Sequence, residues 1–236
     1  MSGDSFRPFN GCIAAEIPRR SVPLSNRAKE EKRHRILQAA IAVFARKGFF
    51  HARISEIAHE AGVADGTIYL YFENKDHLLI AVFEEEMQAI IGRFREALAP
   101  VADPAERLRG FVRMHAEMVI ENPDLAHVLQ VELRQSSTFM SDYKPVRFQE
   151  FLDILESIIL EGRAAGVFRQ DIHPGTVKRA VFGALDELAL HWIMRDRRYD
   201  LRASSAELAD LFIHGIRSKP DASPARPTPH ERGGAR

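Results

Sequence analysis

Thr67, Tyr69, Leu70 and Tyr71 fall within five residues of one another and bring three hydroxyls and one branched apolar group. Hydroxyls donate and accept hydrogen bonds and an isobutyl group packs on methyls, so the set suits the reading of a mixed polar and apolar surface. Its setting makes it usable. Ile54, Ile57, Ala58 and Ala61 put a small apolar stripe on one short helix, Gly62 supplies the permissive backbone of a sharp turn, and Val63 plugs the angle. A second helix is expected from Asp65 to Phe72, with Ile68 and Phe72 one turn apart and facing inward. Thr67, Tyr69, Leu70 and Tyr71 are left on its other faces. So short a helix does not persist alone in water. It must lie across a scaffold, as the second helix of a helix-turn-helix does when presented to the major groove of DNA.

A different chemistry is spaced along a later stretch, where Arg107, Arg109 and Arg113 precede and overlap the stripe Phe111, Val112, His115, Val119. Arginines facing solvent are the plain reading. The sharper one is a pocket apolar inside and basic at its mouth, suited to a lipid chain carrying a phosphorylated head. On spacing alone, Phe111, His115, Leu129, Leu133, Leu152, Leu155 and Phe182 line an apolar tunnel, and Arg109 or Arg113 faces the phosphates. A lone histidine such as His115 is otherwise a hydrogen-bonded structural residue. Catalytic patterns are missing: the chain has no G-x-S-x-G elbow, no glycine-rich phosphate loop, no H-E-x-x-H and no cysteine pair for zinc. An enzyme is not expected, nor a cofactor, nor a metal.

The run Gly62-Val63-Ala64-Asp65-Gly66-Thr67-Ile68-Tyr69-Leu70-Tyr71-Phe72, with Gly48-Phe49 and Ile57-Ala58 before it and Asn74-Lys75 after it, resembles the TetR family of bacterial one-component regulators. The resemblance implies that Thr67, Tyr69, Leu70 and Tyr71 sit on the DNA-reading face, that Lys75 holds a backbone phosphate at the start of the next helix, and that Ser55 lies near the groove. Two positions depart from the family's usual pattern. Ala52-Arg53 replaces the Thr or Ser pair that caps the first helix of the motif, and Ala64 replaces a capping Ser, so Asp65 is the substitute cap; Arg53 can reach a phosphate by itself.

Composition sets the frame. The chain has 236 residues, 45% apolar and 28% charged, enough for a substantial core, and its formal net charge of zero argues against a generic polyanion binder. The charge is unevenly spread: from Arg19 to His77 there are eleven Lys and Arg against seven Asp and Glu. Cys12 is the only cysteine, so no internal disulfide forms. The apolar runs fall well short of the ~20 residues of a membrane span and the first twenty residues lack a signal peptide's apolar centre, so a cytoplasmic protein with no membrane partner is expected.

The elements follow from caps and stripes. Residues 1–25 read as a disordered arm; a start at Val22 or Leu24 is an alternative beginning. A first helix is expected over Lys29–Lys47, ended by Gly48, with Lys32, Arg33 and Arg35 near its start. Asn74 caps a rod running to Pro100, about 37 Å long for ~25 residues at ~1.5 Å each. Asp103-Pro104 and Asn122-Pro123 start two more helices, the second carrying Leu125, Val128, Leu129 and Leu133 and broken at Ser136. Further helices are expected over Ser141–Ala165, Pro174–Met194 and Ser205–Ile216, the last with Ser204 and Glu207 as a capping box. Nine helices and no strand run make an all-α protein: a head over residues 26–75, a larger helical ligand-binding and dimerisation domain over 76–218, and a disordered tail over 219–236.

Outside the head, Val131-Glu132-Leu133-Arg134-Gln135-Ser136, Leu152 to Leu155, Val181 to Glu187, Trp192 to Met194 and Tyr199 to Leu201 resemble the TetR branch that controls fatty-acid degradation. That resemblance implies a repressor released from double-stranded DNA by long-chain acyl-CoA. It also implies a homodimer seamed by the last two helices, for which Gly183 and Ala184 permit close approach and Leu208, Leu211 and Phe212 supply apolar surface; an isologous pair predicts a palindromic operator. Control of efflux by a lipophilic drug is the alternative within the family. An all-helical protein-binding adaptor is the alternative outside it.

Overall fold

A computed structural model describes residues 24–136, 139–140, 143–195 and 198–218. The expected arm and tail lie outside these residues, apart from the two arm positions that α1 takes in. Among the described residues nine α-helices follow one another: α1 Leu24–Lys47, α2 Ile54–Ala61, α3 Asp65–Ile68, α4 Lys75–Leu98, α5 Pro104–Glu121, α6 Pro123–Gln130, α7 Val146–Ala164, α8 Pro174–Met194 and α9 Leu201–Ile216. No strand forms among them; a single antiparallel bridge joins Phe168 and Arg217.

Cap chemistry sets most of the helix starts. Asn74 Oδ1 accepts from His77 N at 2.8 Å, Asp103 accepts from Ala105 N and Glu106 N, and Asn122 Oδ1 accepts from Leu125 N at 3.2 Å. Each side chain thereby satisfies amides that the first turn leaves without a partner. Gly48, Gly62 and Gly166 close α1, α2 and α7 at φ of 77°, 65° and 73°, a left-handed conformation that costs a residue with a Cβ 1–2 kcal/mol or so.

Outside the reading helix, four boundaries differ from the expected ones. Helix α1 starts at Leu24, five residues before Lys29. Helix α7 starts at Val146 because Pro145, with φ −77° and ψ 66°, holds the chain out of helix there. Helix α9 starts at Leu201, and its cap is Asp200, whose Oδ1 accepts from Ala203 N at 3.1 Å; the Ser204–Glu207 pair lies inside the helix, and Ser205 is buried. The helix expected from Asn122 to Ser136 divides, with α6 ending at Gln130 and residues Glu132–Gln135 winding into a 3₁₀ turn.

One continuous core runs through head and body. Ile36, Leu37, Ala40, Val43 and Phe44 of α1 pack with Ile57, Ala58 and Ile68, while Leu79, Val82 and Phe83 of α4 carry the same core into the body. Polar bonds add to the joint of α1 with α4: Arg33 pairs with Glu85, and Gln38 Nε2 donates to Glu86 Oε1 at 2.9 Å. In the body, Gly162 exists to admit Phe168: a Cβ there would stand 2.1 Å from the Phe168 ring.

Candidate nucleic-acid interface and effector chamber

Helix α2 buries Ile57, Ala58 and Ala61 and ends where Gly62 N donates to His59 O at 3.1 Å and Val63 N to Ala58 O at 3.0 Å. That turn sets α3 across α2. Helix α3 is a single α-turn, anchored by the fully buried Ile68; beyond it Leu70 N and Tyr71 N bond the carbonyls three residues back, and Phe72 N bonds Ile68 O four back at 3.0 Å. The helix expected to Phe72 therefore tightens after Ile68, in a run of β-branched and aromatic residues with low helix propensity. Its cap is Ala64, in extended conformation with no side-chain bond; Asp65 is the first helical residue, not the cap, and is exposed. Tyr69 is 57% and Leu70 80% exposed, so both project from the protein. Thr67 is half-buried, and the half-buried Tyr71 packs against the core.

Around α2, Arg53 occupies the N-cap position and its backbone N–H donates to Glu56 Oε2 at 3.1 Å. Lys47 and that backbone N–H, in that order, hold the Glu56 carboxyl below the usual range. Arg53 and Ser55 are both exposed. Lys75 is placed differently from a free phosphate hook. Its Nζ donates to Phe50 O and Ala52 O, each at 3.1 Å, and sits 4.6 Å from the centre of the Phe49 ring. Burial lowers the pKa of this ammonium. Two of its three donors are thus used to tie α4 to the turn before α2, leaving one for an outside acceptor.

The apolar residues expected to line a tunnel mostly converge. Phe111, Leu133 and Leu155 are buried, Leu129 and Phe182 pack against the same core, and His115 is buried with its ring 6.2 Å from that of Phe182. At their centre is a ring cluster: Phe94, Phe111 and Phe151 stand 5.0–5.2 Å apart, and Phe151 continues to Phe182 at 6.3 Å and on to Phe148. Leu152 is the exception, half-buried beside Phe151, which takes the inward position. Burial drives the His115 pKa down to about 4, with Asp186 opposing, so the imidazole is neutral at physiological pH.

The two arginines do not join this cluster. Arg109 pairs with Asp210 through Nε and Nη2 at 3.1 and 2.6 Å and with Glu106 at 2.8 Å. Arg109, Arg113 and Arg202 line a cavity of about 640 Å³ bounded by the end of α4, α5 and α9, with Leu98, Val112 and Ala209 on its apolar side. The reason is helical geometry. Arg109 and Phe111, like Arg113 and His115, are two residues apart, about 200° around a helix, so the aromatic interior and the basic cavity lie on opposite faces of α5. A single chamber with an arginine mouth is not what the fold builds here.

Two family descriptions together cover this architecture: "Bacterial regulatory proteins, tetR family" matches residues 36–82, and "YsiA-like protein, C-terminal region" matches residues 83–215, more than half the chain. The chain belongs to the TetR family. Among its TetR-family relatives, the fatty acid metabolism regulator protein of Bacillus subtilis is 36% identical over 191 residues, 81% of this chain and 98% of that one. The crystal structure of a transcriptional regulator FadR from Bacillus subtilis in complex with stearoyl-CoA superposes with a TM-score of 0.74 at 36% identity, covering 78% of this chain and 98% of that one. The fatty acid degradation regulator FadR from Bacillus halodurans gives 0.73 at 37% identity, over 78% and 99% of the two chains.

Within this TetR-family body, spacing along the sequence missed Phe94 and Phe151 as members of the ring cluster, although both stand in the apolar stripes of their helices. It also missed Arg202, whose guanidinium pairs with Glu117 through Nε at 2.7 Å and Nη2 at 2.8 Å. No local signal places a residue of α9 beside α5.

Proposed function

We propose that this protein represses genes of fatty-acid degradation by binding a palindromic DNA operator as a homodimer, and that long-chain acyl-CoA releases it. The observation that carries the reading is the 36% identity across 98% of a curated fatty acid metabolism regulator, together with the matching fold of a FadR solved with stearoyl-CoA. Tyr69, Leu70 and Thr67 meet base edges and thymine methyls; Tyr71, Arg53, Ser55 and the remaining donor of Lys75 position the backbone, with Asp65 at the start of the reading helix. The exposed Leu211 and Met194, with Leu208, Phe212 and the open surface at Gly183, make the seam between subunits. No described helix is long and apolar enough to cross a membrane, in keeping with a DNA-bound cytoplasmic regulator.

The acyl chain enters the interior around Phe111, His115, Phe151 and Phe182 by displacing rings that now touch one another; Arg109 and Arg113, across α5 from that interior and paired or placed beside α9, take no part in holding its head. Each buried methylene contributes about 0.8 kcal/mol before ordering costs, so affinity rises with chain length. To release DNA the ligand must favour the form whose heads do not fit the groove; about a 100-fold preference, ~2.7 kcal/mol, suffices. Titration of a preformed operator complex with acyl-CoAs of increasing length tests this, with free fatty acid, CoA and lipophilic cations as controls. Release by long acyl-CoA alone supports the proposal; release by a cation with indifference to acyl-CoA sinks it in favour of efflux control.

A further inference from the structure

The 3₁₀ turn that interrupts the sequence after α6 touches the DNA-reading unit at both of its ends. At one end stands Glu132, only 6% exposed. Its Oε2 accepts from the backbone N–H of Phe49 at 2.6 Å, across 83 residues of chain, and its Oε1 bonds His127 Nε2 at 2.9 Å. Among the described residues no lysine or arginine is paired with this carboxylate. Its placement is therefore set by the N–H of Phe49 and the imidazole of His127. Phe49 follows Gly48, the left-handed residue that turns α1 toward α2, and a Cβ at Gly48 would lie 3.6 Å from the same Glu132 oxygen.

At the other end stands Ser136, 1% exposed, whose Oγ donates to Asp76 Oδ1 at 2.6 Å and accepts from Phe139 N at 3.1 Å. Asp76 lies in the first turn of α4, next to Lys75, which reaches back to the carbonyls of Phe50 and Ala52. Residues 49 and 76 bracket α2 and α3. Five consecutive body residues, Glu132 to Ser136, thus hold the reading unit at its entrance and at its exit, and Lys75 closes the loop between the two points.

We propose that residues 132–136 form a two-ended clamp, with Glu132 and Ser136 as positioning residues through which the state of the body sets the orientation of α2 and α3. The clamp rests on the reading of this protein as an effector-released repressor, and it names how that effector acts. A buried carboxylate bonded to a main-chain N–H is a directional contact: a shift of the turn by an ångström lengthens a 2.6 Å bond beyond useful range. Helix α6 leads directly into the turn, and its Leu129 packs on the same core as Phe182, so rearrangement of that interior reaches Glu132 through one helix.

The test compares the intact protein with Glu132→Ala and Ser136→Ala. Alanine at position 132 removes the acceptor of both the Phe49 N–H and the His127 imidazole; alanine at position 136 removes one hydroxyl. Two quantities are read: hydrogen exchange of the amides from Ile54 to Phe72 in the free protein, and the ratio of operator Kd with saturating stearoyl-CoA to that without. In both variants exchange is expected to accelerate about tenfold, and the ratio to fall from about 100 to below about 5, while stearoyl-CoA binding to free protein changes less than about threefold. Unchanged exchange in both variants overturns the clamp. If Glu132→Ala fails to fold, Ser136→Ala and Asp76→Ala, which removes the acceptor of the Ser136 hydroxyl, decide the matter alone. Should the wild-type protein bind operator indifferently to stearoyl-CoA while exchange still accelerates in the variants, the clamp stands and the effector assignment falls.

Discussion

Tyr69 and Leu70 stand out from the head with most of their surface in water, whereas Phe94, Phe111 and Phe151 are closed in on one another inside the body. Both groups are large and apolar or aromatic, and they are exposed or buried for opposite reasons. Under the proposed function the head meets DNA with Tyr69 and Leu70 already presented, and side chains so exposed contribute little to stability. Under the same reading the body must open before it accepts an acyl chain, so the residues proposed to meet that chain are also the ones that hold it folded. Substitutions of the exposed head residues and of the buried body rings should therefore separate into effects on binding and effects on stability.

The largest effect should come from the body. Phe151→Ala removes the ring that touches Phe94, Phe111 and Phe182 and is expected to cost about 4 kcal/mol of stability in denaturant unfolding. A cost under about 1 kcal/mol would mean that the interior is already loose, and the contrast with the head would fail.

Acid should sharpen the same contrast. The unfolded chain protonates its histidine near the ordinary 6.5, whereas folded His115 stays neutral down to about 4. Stability from this group is therefore complete above pH 6.5 and lost as pH falls toward 4. The loss totals about 3 kcal/mol at 1.36 kcal/mol per pKa unit. Unfolding of the wild type and of His115→Gln between pH 7 and 4.5 isolates it, since the variant should lack that share of the slope.

In the head the balance reverses. Tyr69→Ala or Leu70→Ala should each weaken operator binding by about 2 kcal/mol and shift unfolding by less than about 0.5 kcal/mol. Binding by fluorescence anisotropy beside a melting curve reads both; a variant that lost stability instead would show that these side chains are structural. Lys75→Ala is the smallest and spans both classes. It should weaken operator and unrelated DNA alike by about 1 kcal/mol and reduce the slope of log K against log salt by about one. An altered choice of operator would show that Lys75 reads sequence.

What could be seen in the sequence divides along the same line. Asn74, Asp103 and Asn122 announce their helices because a cap bonds amides two or three residues away. Ile57, Ala58, Gly62 and Ile68 likewise reveal the head, since its turn is local. Asp200 and Ser204 are both good caps one turn apart, and only the burial of Leu201 and the pairing of Arg202 with Glu117 decide between them. The interruption at Gln130 was not legible, because the 3₁₀ turn after it carries Glu132 to an amide 83 residues earlier. The opposite faces of Arg109 and Phe111 are a separate matter: a 100° step per residue already contains them, and reading the arginines and rings as one chamber overlooked it.

The contact between Glu132 and the main chain of Phe49 also bears on how such regulators diversify. A backbone N–H is offered by any residue except proline, so the side chain at position 49 can vary without releasing the body's hold. The partner contact at Asp76 depends on a particular side chain and must travel with its serine. If Thr67, Tyr69 and Leu70 read bases as proposed, a lineage can therefore rewrite them for new target genes while leaving the body's hold intact. A chimera that joins this body to another head should inherit responsiveness when the graft is cut after Phe49 and before Asp76, and lose it when the donor brings its own residue to position 76.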